Sequence, residues 1–129
     1  MKFLITGAYG FVGTNLCKYL SERGHQCDAL DIPAAKRDDV PYRNFYIWSD
    51  LDSSPSYVPF ASYDAVVHLA GKAHDLKKVA SEQSYFDINV GLTKKVYGCL
   101  VTGDRWLLAG AKVPKFIYFS SSKASATGN

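Results

Sequence analysis

The apolar residues of this chain gather in short runs separated by polar and glycine-rich stretches. KFLIT (Lys2 to Thr6), DAVVHLA (Asp64 to Ala70) and KFIYF (Lys115 to Phe119) are nearly unbroken, and 26–31 and 44–48 supply two further strand-like segments. Runs of this length without polar alternation predict strands buried on both faces, as in a parallel sheet. Between them the period changes. From Phe11 the positions Val12, Leu16 and Leu20 recur at helical spacing, with Lys18, Glu22 and Arg23 on the opposite face and Gly24 as the stop signal. Tyr85, Ile88, Leu92, Val96 and Leu100 form a second inner face and predict a helix over about 82–102.

The connections are polar. PAAKRDDVPYR (33–43) reads as a loop and SDLDSSPSYVPFASY (49–63) as a turn-rich link. Strands alternating with helices predict an α/β fold, a Rossmann-like doubly wound parallel sheet of about five strands, because right-handed crossovers place helices on both faces. With 129 residues, the chain is expected to form a single domain over 1–129 with a true core.

Composition narrows the partners. A net charge of +3 with dispersed Lys and Arg gives no electrostatic footprint for nucleic acid or a membrane surface. The leading apolar run is too short for a signal segment or a membrane span. Cys17, Cys27 and Cys99 are odd in number and show no CxxC spacing, which predicts reduced thiols in a cytoplasmic protein and no metal site.

The chemistry begins at TGAYGFVG, residues 6–13, strand before and helix after. Gly7 permits a sharp turn off the strand, Gly10 lets backbone approach a pyrophosphate, and Gly13 allows the helix to pack close to the sheet. The free amides of the helix start then face the anion. Asp31 stands at the end of the second strand, eighteen positions after Gly13, where a carboxylate accepts hydrogen bonds from the adenosine ribose hydroxyls and repels a 2′-phosphate. That combination favours NAD over NADP.

The chain resembles the extended short-chain dehydrogenase/reductases, in particular the NAD-dependent nucleotide-sugar epimerases and dehydratases of the UDP-glucose 4-epimerase type. The resemblance is carried in order by Thr6 to Gly13, Asp31, the DL pair at Asp50 and Leu51, HLAG at His68 to Gly71, NV at Asn89 and Val90, and FIYFSSSK at Phe116 to Lys123. It implies that Tyr9, Gly10, Phe11 and Val12 lie along the pyrophosphate, that Asp50 and Leu51 border the adenine, and that Leu69, Ala70 and Gly71 line the nicotinamide-side ribose and phosphate. It further implies that Asn89 supports the cofactor from its helix and that Ser121 is the active-site hydroxyl, with Ser122 the close alternative. A nucleotide sugar is the implied substrate, in a path serving polysaccharide synthesis.

Other side chains read first as structure. His68 lies within an apolar strand, Trp48 and Trp106 are packing residues, and Cys17 fills core; Lys72 and His74 follow the HLAG turn within reach of cofactor or substrate.

The chain departs from the family pattern twice. The stretch from Asn89 to Ser121 is longer by roughly two helical turns, as if residues were added around Gly103 to Leu108. The family's Tyr-x-x-x-Lys pair, expected some two dozen residues after the serine, is absent. The chain therefore reads as the amino-terminal part of a longer enzyme, without the carboxyl-terminal substrate-binding region, and its fifth strand is expected to leave an apolar edge prone to self-association or homodimer formation. Two other readings remain: a catalytically silent NAD-binding module, and an NAD(P)-dependent reductase of a non-sugar carbonyl, against which Asp31 argues.

Overall fold

The computed structural model describes residues 1–69, 82–101 and 114–119. Five strands, β1 (Lys2–Thr6), β2 (Gln26–Asp31), β3 (Phe45–Ile47), β4 (Ala65–His68) and β5 (Lys115–Tyr118), form one sheet in the order β3-β2-β1-β4-β5. All four pairings are parallel. The order reverses direction at β1, so the carboxyl ends of β1 and β4 flank the switch point where open α/β sheets bind their ligands.

Among the described residues, one helix packs on each face of the sheet. On one side, α1 (Phe11–Glu22) packs Cys17, Leu16 and Leu20 against Ile5, Cys27, Ala29 and Val67. On the other, α2 (Glu82–Val101) places Leu92, Val96, Cys99 and Leu100 with Leu4, Leu30, Val66 and Phe60. The expected inner positions Leu92, Val96 and Leu100 are all buried; the Tyr85 and Ile88 side chains lie outside the described ones. Leu4, Ile5, Leu30 and Val66 are fully buried, which is why the strands read as apolar runs.

The helix boundaries follow local chemistry. Gly10 is the N-cap of α1, Arg23 its C-cap, and Gly24 takes φ +85° to end it, a conformation that costs glycine nothing. Val12 differs from expectation: counted on the inner face by its spacing, it is 46% exposed, and Phe11 is 84% exposed. The core on this face takes in Leu16, Cys17 and Leu20 of α1 but neither Phe11 nor Val12, so the first turn of the helix stays outside it. Two short 3-10 turns, Pro33–Ala35 and Phe60–Ser62, occupy segments expected to be irregular. The three cysteines are buried free thiols, and Trp48 is buried in the α2-side core. Among the described residues no helix is long and apolar enough to cross a membrane, and no cluster of His, Cys, Asp and Glu could hold a metal.

Candidate cofactor site

The chain leaves β1 through Gly7, whose φ of +65° is open to glycine and strained for other residues. The Gly7 amide donates to the Leu30 carbonyl at 3.0 Å, tying the turn to β2, and the Gly10 amide donates back to the Gly7 carbonyl at 3.1 Å. Helix α1 then starts with the Thr14 amide bonding the Gly10 carbonyl at 3.0 Å. No side chain caps this helix and no acidic residue stands in its first turn, so its orphan amides and the positive end of its dipole are available to an anion.

The three glycines divide the work. A Cβ on Gly13 would sit 2.6 Å from the Ala8 carbonyl oxygen and 2.7 Å from that of Gly7, so hydrogen alone fits where helix meets loop. A Cβ on Gly10 would meet only the Gly7 oxygen at 3.4 Å, an ordinary contact. The fold itself therefore does not demand glycine at the exposed position 10.

Asp31 closes the loop from the neighbouring strand. Its Oδ2 accepts the Tyr9 amide at 2.9 Å and its Oδ1 accepts the Ile32 amide at 2.8 Å. Burial raises its pKa above the ordinary aspartate value, and the two amides work in the opposite direction. Each oxygen keeps a further lone pair, which suits a carboxylate that receives two ribose hydroxyls. Tyr9 turns its ring inward, edge-on to Tyr42 and Phe45 at 5.2 and 5.5 Å.

Tyr42 carried no signal in the sequence. Its hydroxyl donates to the Ala8 carbonyl at 2.6 Å and lies 3.1 Å from that of Gly13, so one side chain from the 33–43 loop braces both ends of the glycine turn. Burial is the main force pushing the Tyr42 hydroxyl well above the usual tyrosine range.

On the other side of β1, Leu69 extends the site. Its amide donates to the carbonyl and the hydroxyl of Thr6, at 3.1 and 3.0 Å. His68 is fully buried with Nδ1 2.7 Å from Thr6 Oγ1, which fits the structural reading. Asp50 and Leu51 follow β3 at the same sheet edge. Asp50 spends its carboxylate locally, however, accepting the Asp52 amide at 3.1 Å and the Ser53 hydroxyl at 2.8 Å, while Leu51 is 38% exposed. Asn89 is half-buried on α2 and its carbonyl accepts the Thr93 hydroxyl at 2.8 Å. The structure thus gathers Gly7, Tyr9, Gly10, Phe11, Val12, Gly13, Asp31, Asp50, Leu51 and Leu69 along the carboxyl edge. Ala70, Gly71, Ser121, Ser122, Lys72, His74, Trp106 and the 103–108 stretch lie outside the described residues.

The sequence pattern of the NAD dependent epimerase/dehydratase family matches residues 3–128. The chain belongs to that family. It is 31% identical over 133 residues to a UDP-glucose 4-epimerase of Klebsiella pneumoniae, covering 95% of this chain and 90% of that one. It is 30% identical over 132 residues to a UDP-glucose 4-epimerase of Neisseria meningitidis serogroup C, covering 94% of this chain but 37% of that one. The crystal structure of UDP-glucose 4-epimerase from Brucella ovis in complex with NAD superposes with a TM-score of 0.72 at 22% identity, over 98% of this chain and 37% of that one, which shows the shared fold. Against the longer relatives, the chain spans little more than a third of their length.

Proposed function

We propose that the chain binds NAD along the carboxyl edge of its sheet and supplies the cofactor half of a nucleotide-sugar epimerase or dehydratase. One observation carries this reading: Asp31 on β2 accepts the amide of Tyr9 in the glycine loop, joining the ribose acceptor to the pyrophosphate cradle in one rigid unit. The residues fit the cofactor. Gly13 leaves no space for a side chain beneath the loop, Gly10 keeps the loop surface clear, and the α1 amides have no competing cap.

The roles follow from position. Tyr9 to Val12 lie along the pyrophosphate through backbone amides, and Asp31 takes the adenosine ribose hydroxyls. Asp50 and Leu51 border the adenine through backbone and apolar surface, since the Asp50 carboxylate is engaged in its own turn. Leu69, with Ala70 and Gly71, lines the nicotinamide-side ribose and phosphate, and Asn89 supports the site from α2. A bound NAD would supply a reversible hydride acceptor for the substrate carbon. Ser121 orients the sugar oxygen by hydrogen bonding. Proton removal from that oxygen calls for a tyrosine with a neighbouring lysine, and no Tyr-x-x-x-Lys occurs in the chain.

The 129-residue chain is accordingly expected to bind NAD without turning over UDP-glucose.

Calorimetric titration with NAD tests the proposal. The chain should bind, and Asp31→Ala should weaken binding by about tenfold or more, the cost of losing charge-assisted hydrogen bonds to the ribose. A folded chain that ignores NAD, or an Asp31→Ala variant that binds it equally well, sinks the reading.

A further inference from the structure

Two cysteines meet where the α1-side core joins helix to strand. Cys17 stands in the middle of α1 and Cys27 near the start of β2, both buried in one cluster with Ile5, Ala29 and Val67. Their thiols are hydrogen-bonded to each other. Cys99 is buried in the α2-side core, across the sheet from the pair. A disulfide needs its sulfurs at roughly 2.05 Å and its β-carbons within about 4.5 Å. Thiols that already share a hydrogen bond, one on a helix and one on the strand it covers, start closer to that geometry than either does with Cys99.

The two thiols are unequal. The bond from Cys27 is the largest influence holding the Cys17 thiol below the usual cysteine range, with Ser21 and Lys18 adding to it against the opposing effect of burial. The same bond, with burial adding to it, pushes the Cys27 thiol up. Cys17 is therefore the one that gives up its proton, and Cys27 stays the donor. The Cys17 sulfur lies 3.9 Å from the Ser21 hydroxyl, and Ser21 is half-buried in the last turn of α1, just before the positive-φ Gly24. Element ends open more readily than element middles. That end of the helix gives a small oxidant a route to the pair.

We propose that Cys17 and Cys27 form a reversible disulfide on exposure to a peroxide, stapling α1 to β2. The Cys17 thiolate attacks one oxygen of hydrogen peroxide, the O–O bond breaks, and the leaving hydroxide takes up a proton as water, so that Cys17 carries a sulfenic acid. The Cys27 sulfur then attacks the sulfenic sulfur; an S–S bond forms, and the departing hydroxide takes the Cys27 proton as a second water. Two thiols have lost two protons and two electrons, and one peroxide has become two waters. The staple ties the helix that follows the glycine loop to the strand that ends in Asp31. None of these steps involves NAD, so they proceed whether or not the cofactor site is occupied.

The test is to treat the folded chain with hydrogen peroxide, weigh it intact, and map its tryptic peptides without reduction. The mass should fall by two hydrogen atoms. Peptide 3–18 should be joined to peptide 24–36, since cleavage after Lys2, Lys18, Arg23 and Lys36 separates the two cysteines, and dithiothreitol should release them. The oxidised chain should melt about 5 °C or more above the reduced one, because the bond closes a loop in the unfolded state. Cys27→Ala should show no linked peptide and should leave Cys17 as a sulfenic acid that dimedone labels. The proposal is overturned by linkage through Cys99, by oxidation of Cys17 in the parent without linkage, by a folded chain that does not react, by an oxidised chain that melts no higher than the reduced one, or by a Cys27→Ala chain that dimedone does not label.

Discussion

His68 Nδ1 lies 2.7 Å from Thr6 Oγ1, linking the carboxyl ends of β4 and β1 beside the switch point of the sheet. The imidazole is fully buried, its rings nearly parallel to those of Phe116 and Tyr118 at 5.9 Å, and its Nε2 has no partner among the described residues. Desolvation lowers its pKa to about 4, so the ring is neutral at pH 7 and cannot serve there as an acid.

That shift makes stability depend on pH in a definite direction. An unfolded histidine takes up a proton near its ordinary value of 6.5, whereas the folded one resists until about pH 4. Protons therefore bind the unfolded state preferentially, and stability falls as pH drops from about 6.5 to about 4, by up to about 3 kcal/mol. Urea unfolding of His68→Asn, which keeps a polar atom near Thr6 but does not titrate, should show a flatter profile than the parent across this window. Identical slopes would refute the assignment.

Gly13 and Gly10 should separate stability from binding. Gly13→Ala forces a methyl against two backbone oxygens at 2.6 and 2.7 Å, neither the flexible end of a side chain, and should cost about 1–3 kcal/mol of stability, read as a lower melting temperature. Gly10→Ala meets only the 3.4 Å contact and should leave melting nearly unchanged while weakening NAD binding severalfold. If Gly10→Ala binds NAD normally, the ligand does not pass over that position.

The sheet was legible in the sequence because strands covered on both faces have no polar side to alternate with, as Leu4, Ile5, Val66 and Val67 show. The glycine loop and Asp31 were legible for a related reason: backbone conformation and close packing at Gly7 and Gly13 restrict the residue type directly. Val12 was misplaced because spacing reports which way a side chain points and not whether anything lies beneath it. Tyr42 went unseen since its partners, Ala8 and Gly13, are 34 and 29 positions away and meet it only through the fold. The Asp50 carboxylate illustrates the converse, where residues two and three positions on capture a side chain that the family resemblance alone would have pointed toward the cofactor.

Far from the glycine loop, a buried carboxylate anchors the other face of the sheet. Asp28 on β2 is 3% exposed; its Oδ2 accepts the Tyr63 hydroxyl at 2.5 Å, and both oxygens lie 3.3 Å from Asn44 Nδ2. Burial is the largest influence pushing the Tyr63 hydroxyl far up, and its bond to Asp28 adds to the shift, so it remains a donor at any ordinary pH. Tyr63→Phe would keep the ring among Leu4, Val66 and Phe60 but leave the carboxylate with the longer Asn44 contacts alone. Loss of a buried hydrogen bond to a charged acceptor costs about 1.5–3 kcal/mol. Denaturant titration should therefore show a lower midpoint at unchanged slope, since the surface exposed on unfolding is the same. NAD affinity of the folded variant should stay within about twofold, because Tyr63 packs in the α2-side core while Ala8 and Tyr9 of the loop belong to the α1-side one. A large loss of NAD binding with stability intact would mean that this pair shapes the cofactor site rather than the core.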